Sequence, residues 1–106
     1  MIGKKHYIAP GILAIDWQAN NMAVVEVDGK KITLVLHQEQ LFACAHKCPH
    51  ASGIMAHGFI DSLGKITCPL HKYKFNLDNG RNTSGEGYYL KTYKVEVDEE
   101  GVYVVL

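Results

Sequence analysis

MAVVEVDGKKITLVLH, residues 22–37, consists of two β-branched runs, 22–27 and 31–36, on either side of Asp28-Gly29. Branching at Cβ suits a pleated strand better than a helix. Asp-Gly supplies the two positive-φ residues of a type I′ turn, so the stretch predicts a β-hairpin. The same grammar extends outward. LFACA (41–45) reads as a third strand, and GFIDSLGKITC (58–68) as a hairpin turning near Ser62–Gly64. KYKFNLDNG (72–80) gives a short strand and a turn at Asp78–Gly80. The last hairpin, YYLKTYKVEVDEEGVYVVL (88–106), turns around Glu99–Gly101. Within it Tyr93, Val95 and Val97 alternate with Lys94 and Glu96, the period of a half-buried strand. No segment sustains a 3.6-residue period. The expectation is an all-β protein, a small antiparallel β-sandwich or barrel. No linker or low-complexity segment interrupts residues 1–106, which read as a single domain.

The bulk properties narrow the function. Lys plus Arg is 11 and Asp plus Glu is 11, so the formal charge is zero. That balance argues against nucleic acid or an anionic membrane as the main partner. No apolar run reaches the length of a membrane span. Near the N-terminus, Pro10, Gly11 and Asp16 break the apolar run that a signal peptide would need. A soluble cytoplasmic protein is the expectation. Three cysteines are too few for a disulfide scaffold and odd in number. In a reducing compartment, cysteines beside histidines point to metal.

Two short runs echo each other: Cys48-Pro49-His50 and Cys68-Pro69-Leu70-His71. Seventeen residues separate His50 from Cys68, room for one hairpin. Both runs fall between strands, as loops on a rigid scaffold. Packed side by side, they would offer two soft thiolates and two imidazoles. Pro49 and Pro69 hold φ near −65° and stiffen each loop beside its cysteine. Gly53 and Gly58 would let the first loop turn back tightly.

Cys-x-His, seventeen residues, then Cys-x-x-His resembles the signature of Rieske proteins. The wording CPH…CPLH…F is similar to the soluble branch: Rieske ferredoxins, the Rieske domains of ring-hydroxylating oxygenases, and the small subunit of assimilatory nitrite reductase. LFACAHKCPH, MAHG and YKVEVDEEGVYV sit where that family places comparable segments. The resemblance implies a Rieske-like β-sandwich or barrel with a cluster-binding subdomain of two loops, about residues 43–76. It implies a [2Fe–2S] cluster held by Cys48, His50, Cys68 and His71, with the cysteines on the inner iron and the histidines on the outer one. Two imidazoles in place of two thiolates lower the negative charge of the cluster, which raises its reduction potential.

Some residues depart from the pattern. The high-potential cytochrome bc type adds a bridging cysteine to each ligand loop. Gly53 and Leu70 stand there instead, so no bridge is expected. That type also uses Ser and Tyr hydroxyls after the second histidine, whereas here the matching residues are Tyr73 and Phe75. Fewer hydrogen bonds to the sulfurs imply a potential of about −150 to 0 mV, the lower part of the Rieske range. Lys72 stands where the family usually has Gly, and its side chain is expected to point to solvent. RNTSGEGYY (81–89) lacks the proline common in the covering loop, which predicts a looser cover.

Cys44 reads as a buried wall residue, and His46 and His57 as surface residues near the site. A zinc site built on Cys44 and Cys48 is conceivable, but it leaves the Cys68/His71 pair half explained. Lys47, Lys72 and Lys74 flank the ligands, and between Glu39 and Asp78 the sole acid is Asp61. These lysines read either as a solvated face or as a basic collar for an acidic redox partner. No Gly-rich dinucleotide loop is present. The leading expectation is a one-electron carrier, without activity of its own, between a separate reductase and a terminal oxygenase or reductase. The alternatives are an accessory subunit of a nitrite reductase-like complex and a zinc-stabilised interaction module.

Overall fold

A computed structural model describes residues 3–49, 53–70 and 72–106. Among these residues nine strands follow in order: β1 (Lys5–Ala9), β2 (Met22–Val27), β3 (Lys30–His37), β4 (Gln40–Ala45), β5 (Phe59–Ile60), β6 (Lys65–Thr67), β7 (Lys74–Asn76), β8 (Thr92–Asp98) and β9 (Gly101–Val105). Short 3-10 turns cover Ile12–Ala14 and Met55–His57. Among the described residues no helix is long and apolar enough to cross a membrane.

The strands form two antiparallel sheets. Six make a large sheet in the order β1-β9-β8-β4-β3-β2, and β5-β6-β7 make a small one. The predicted hairpin is β2–β3. Asp28 (φ 52°) and Gly29 (φ 77°) both take the left-handed geometry of a type I′ turn. The next turn, Gln38 (φ 51°) and Glu39 (φ 66°), has the same handedness without a glycine. β8 is shared along its length: Tyr93 and Thr92 pair with β4, and Lys94 to Asp98 pair with β9. β1 and β2 come into contact, so the large sheet curls nearly closed.

Two apolar cores sit on opposite faces of β2–β4. One lies inside the curl and holds Ala23, Ile32, Leu34, Ala43, Val102 and Val104. The other lies between the large and small sheets and holds Met22, Val35, Cys44, Ile66 and Phe75. Alternation therefore sends Leu34 into one core and Val35 into the other. This explains why β3 reads as a nearly continuous apolar run: both of its faces are buried. Burial of Phe75 alone contributes about 2–3 kcal/mol. β8 is half-buried through Tyr93 and Val95, while Val97 is exposed. β1 was not anticipated from sequence. It gains its place by pairing with β9 at the far end of the chain.

Candidate metal centre

The small sheet and the end of β4 deliver two loops built on one plan. In the first, Lys47 bridges Ile54, and the Cys48 amide donates to the Gly53 carbonyl at 2.7 Å. In the second, the Cys68 amide donates to the Tyr73 carbonyl at 2.8 Å. Each cysteine amide thus closes on the carbonyl five residues on, and each enclosed segment begins Cys-Pro. Lys72 makes the return of the second loop in the left-handed region, at φ 60°. That is the conformation a glycine takes most easily.

The loops meet at Gly53. A β-carbon there would stand 3.0 Å from Cys68 Sγ and 3.1 Å from Leu70 Cγ. The glycine is needed for close approach between loops. Gly58 serves the same end, since a β-carbon there would lie 1.9 Å from the Thr67 carbonyl oxygen. Cys48 and Cys68 are buried and free of any disulfide. His50 and His71 lie outside the described residues.

The segment leaving the first loop is clamped from outside. Gln18 Nε2 donates to the Ala56 carbonyl at 2.8 Å, and Asn20 Nδ2 donates to the carbonyls of Ala56 and Gly58 at 2.9 and 3.0 Å. The clamp escaped sequence reading. Its only trace is a polar Gln-x-Asn just before a strand.

The covering loop is better organised than its lack of proline suggested. Asn82 is its hub: Nδ2 donates to the Lys74 carbonyl at 3.0 Å and to Glu86 Oε1 at 3.0 Å. Its Oδ1 accepts from the Glu86 and Gly87 amides at 2.6 and 3.0 Å. The ring of Tyr88 lies 5.8 Å from that of Tyr73. Burial pushes the Tyr73 hydroxyl's pKa up, helped by the Glu86 carboxylate. Phe75 is fully buried and offers no hydroxyl.

Cys44 lies in β4, buried, opposite Thr33 and Thr92. Burial pushes its thiol pKa up to about 12, so it stays protonated near neutrality. Among the described residues no three Cys, His, Asp or Glu donors gather that could hold a metal. His46 is half-buried, and its Nδ1 is enclosed with no hydrogen-bond partner. Burial, then Lys31, Lys47 and His57, pull its pKa down.

The three lysines expected to form a collar divide. Lys47 is exposed. Lys72 is exposed with Nζ 5.6 Å from the centre of the Phe59 ring. Lys74 is not free: Nζ lies 2.8 Å from Asp61 Oδ2, across the small sheet. Asp61 also accepts from the Leu63 and Lys65 amides, which closes the hairpin turn.

Two buried thiols on closely approaching loops suit a centre that takes soft ligands from both loops. Comparison with known proteins agrees. The family model described as Rieske-like [2Fe-2S] domain matches residues 13–105. Apoptosis-inducing factor 3 of Homo sapiens is 32% identical over 90 residues, which is 84% of this chain but 15% of that protein's length. The ferredoxin component of the naphthalene 1,2-dioxygenase system of Pseudomonas aeruginosa is 30% identical over 83 residues, 77% of this chain and 79% of that protein. A chain in a complex of reduced oxygenase and oxidized ferredoxin of carbazole 1,9a-dioxygenase superposes with a TM-score of 0.76 at 27% identity, covering 93% of this chain and 99% of that one. A Mycobacterium tuberculosis chain assigned as an NADH-dependent nitrite reductase small subunit shares the fold, with a TM-score of 0.82 at 20% identity over 99% of this chain and 96% of that one.

Proposed function

This chain belongs to the Rieske-like [2Fe–2S] domain family, and from that premise we propose that it is a one-electron carrier between a separate reductase and a terminal oxygenase or reductase. The observation that carries this reading is the pair of matched Cys-Pro loops in contact through Gly53. Cys48, His50, Cys68 and His71 would hold the [2Fe–2S] cluster, which accepts and returns a single electron when bound. The chain's own residues do the rest. The two cysteine-closed loops hold the thiols in place, the Gln18–Asn20 clamp fixes the first loop's exit, and Tyr73 with Tyr88 walls the second. Residues 1–106 would act as one such domain, with its cluster-binding part at about 43–76, in the cytoplasm. Sharing of β2–β4 between the two cores supports a single folding unit. The relative that is a ferredoxin component of a dioxygenase system favours the carrier role.

A reductive titration tests it. One electron per chain is expected, with no reduction by NADH until a reductase is added. Direct reduction by NADH, or uptake of two electrons, would contradict a simple carrier.

A second reading is an accessory subunit of a nitrite reductase-like complex, favoured by the close match in fold. Stable co-purification with a large reductase at equal stoichiometry supports it. Purification as a free small protein from its native cells goes against it.

A further inference from the structure

We propose that the gap between β4 and β8 takes an extended segment of a partner protein, with apolar and basic residues in alternation, as an added strand on the open edge of β8. This goes beyond the electron-carrier reading and does not depend on a cluster. Among the described residues β4 and β8 pair at Ala43–Tyr93 and Cys44–Thr92 and at no other position of the two strands. The register decides which backbone groups face the gap beyond. Asp98 stands opposite Gly101 across a two-residue turn, so Asp98, Glu96 and Lys94 direct their amides and carbonyls to β9. Val95 and Val97 direct theirs the other way, toward β4. The same count from His37 opposite Gln40 turns the amide and carbonyl of Leu41 toward β8. Leu41 and Val95 would be the next bonded pair of the ladder. Instead the strands part around a cleft of about 360 Å³ lined by Glu39, Gln40, Leu41, Phe42, Val95 and Val97.

Open edges are commonly blocked by a proline, a bulge or an inward-pointing charge. This length of β8 has none of them. Val95 and Val97 hold the inner positions, Val97 is 53% exposed, and the register with β9 runs unbroken from Lys94 to Asp98. The charge around the gap sets the sign of the partner. Glu39 lines it, and Asp98, Glu99 and Glu100 follow Val97 into the turn. All four are exposed. None of them belongs to an ion pair among the described residues, where the pairs are Lys5–Glu96 and Lys74–Asp61. A strand added to this edge sets alternate side chains beside Val95 and Val97, and those between them beside Glu96 and Asp98. Apolar residues suit the first row and basic residues the second, while main-chain hydrogen bonds hold the segment. β4 runs from the gap toward Cys48, so a segment bound here leaves the ligand loops uncovered.

Amide hydrogen exchange of the full chain, read by NMR, tests this with the capped peptide Lys-Val-Lys-Val-Lys as the probe. In the free protein the Val95 and Val97 amides should exchange about tenfold or more faster than the Glu96 amide between them. Saturating peptide should slow both by about tenfold or more. Val97→Lys should abolish that protection, and Glu99→Lys/Glu100→Lys should weaken binding about fivefold or more at low ionic strength. The capped peptide Glu-Val-Glu-Val-Glu should protect neither amide. Val95 and Val97 amides as slow as Glu96 in the free protein, or unchanged by saturating peptide, would overturn the open edge. Protection that grows with protein concentration alone would place a second copy of this chain in the gap and overturn the partner segment. The carrier reading stands apart from all of these results, since it fails if the protein takes up no electron.

Discussion

Gly53 and Cys68, fifteen positions apart, approach so closely that a β-carbon on Gly53 would stand 3.0 Å from the cysteine sulfur. The contact ties one ligand loop to the other, and it makes position 53 a probe of their convergence. A sulfur held by a metal has no freedom to retreat. Gly53→Ala should therefore lower iron content per chain and destabilise the loaded protein by about 1–3 kcal/mol, the usual range for overpacking. Iron analysis with denaturant unfolding checks this.

The three cysteines should separate sharply. Serine in place of Cys48 or Cys68, or alanine in place of His50 or His71, should abolish the visible chromophore. Cys44→Ser should keep it, at a cost of about 1–2 kcal/mol for a hydroxyl buried in an apolar wall. A colourless Cys44→Ser protein would overturn the ligand assignment.

Asp61 predicts an acid limb in the stability profile. Its hydrogen bond from Lys74, then the Lys65 amide, lower its pKa from an ordinary 3.8 to about 2. A group depressed in the folded state contributes fully above its unfolded pKa and loses that contribution as pH falls through the folded value. Stability should thus drop between about pH 4 and pH 2. Lys74→Gln should shallow that slope and lower stability near neutrality by the same modest amount, kept small by the partial exposure of the pair. Urea midpoints across the pH range provide the check.

Lys72 occupies a conformation that strains any side chain with a β-carbon. Lys72→Gly should stabilise the second loop by about 1 kcal/mol, less whatever the contact over Phe59 contributes. A fall in stability would mean that the cation–π contact outweighs the strain.

Much of this was legible in local sequence. Asp28-Gly29 announced its turn, and the Cys-Pro echo announced the loops, because both signals sit within a few residues. Two of the losses come from long-range pairing. β1 depends on β9, and short strands beside Pro10-Gly11 carry little signal alone. Lys74 looked like a free docking charge because Asp61 lies thirteen residues away and meets it only across the small sheet. Asn82 supplies through five hydrogen bonds the order that a proline would have supplied through its ring. The Gln38–Glu39 turn gave no signal, since neither residue favours positive φ.

Electron paramagnetic resonance of the dithionite-reduced protein at low temperature tests the central claim most directly. A [2Fe–2S] centre with mixed cysteine and histidine ligands predicts a rhombic signal of low average g, integrating to one spin per two irons. A silent spectrum from a colourless protein carrying zinc would contradict it.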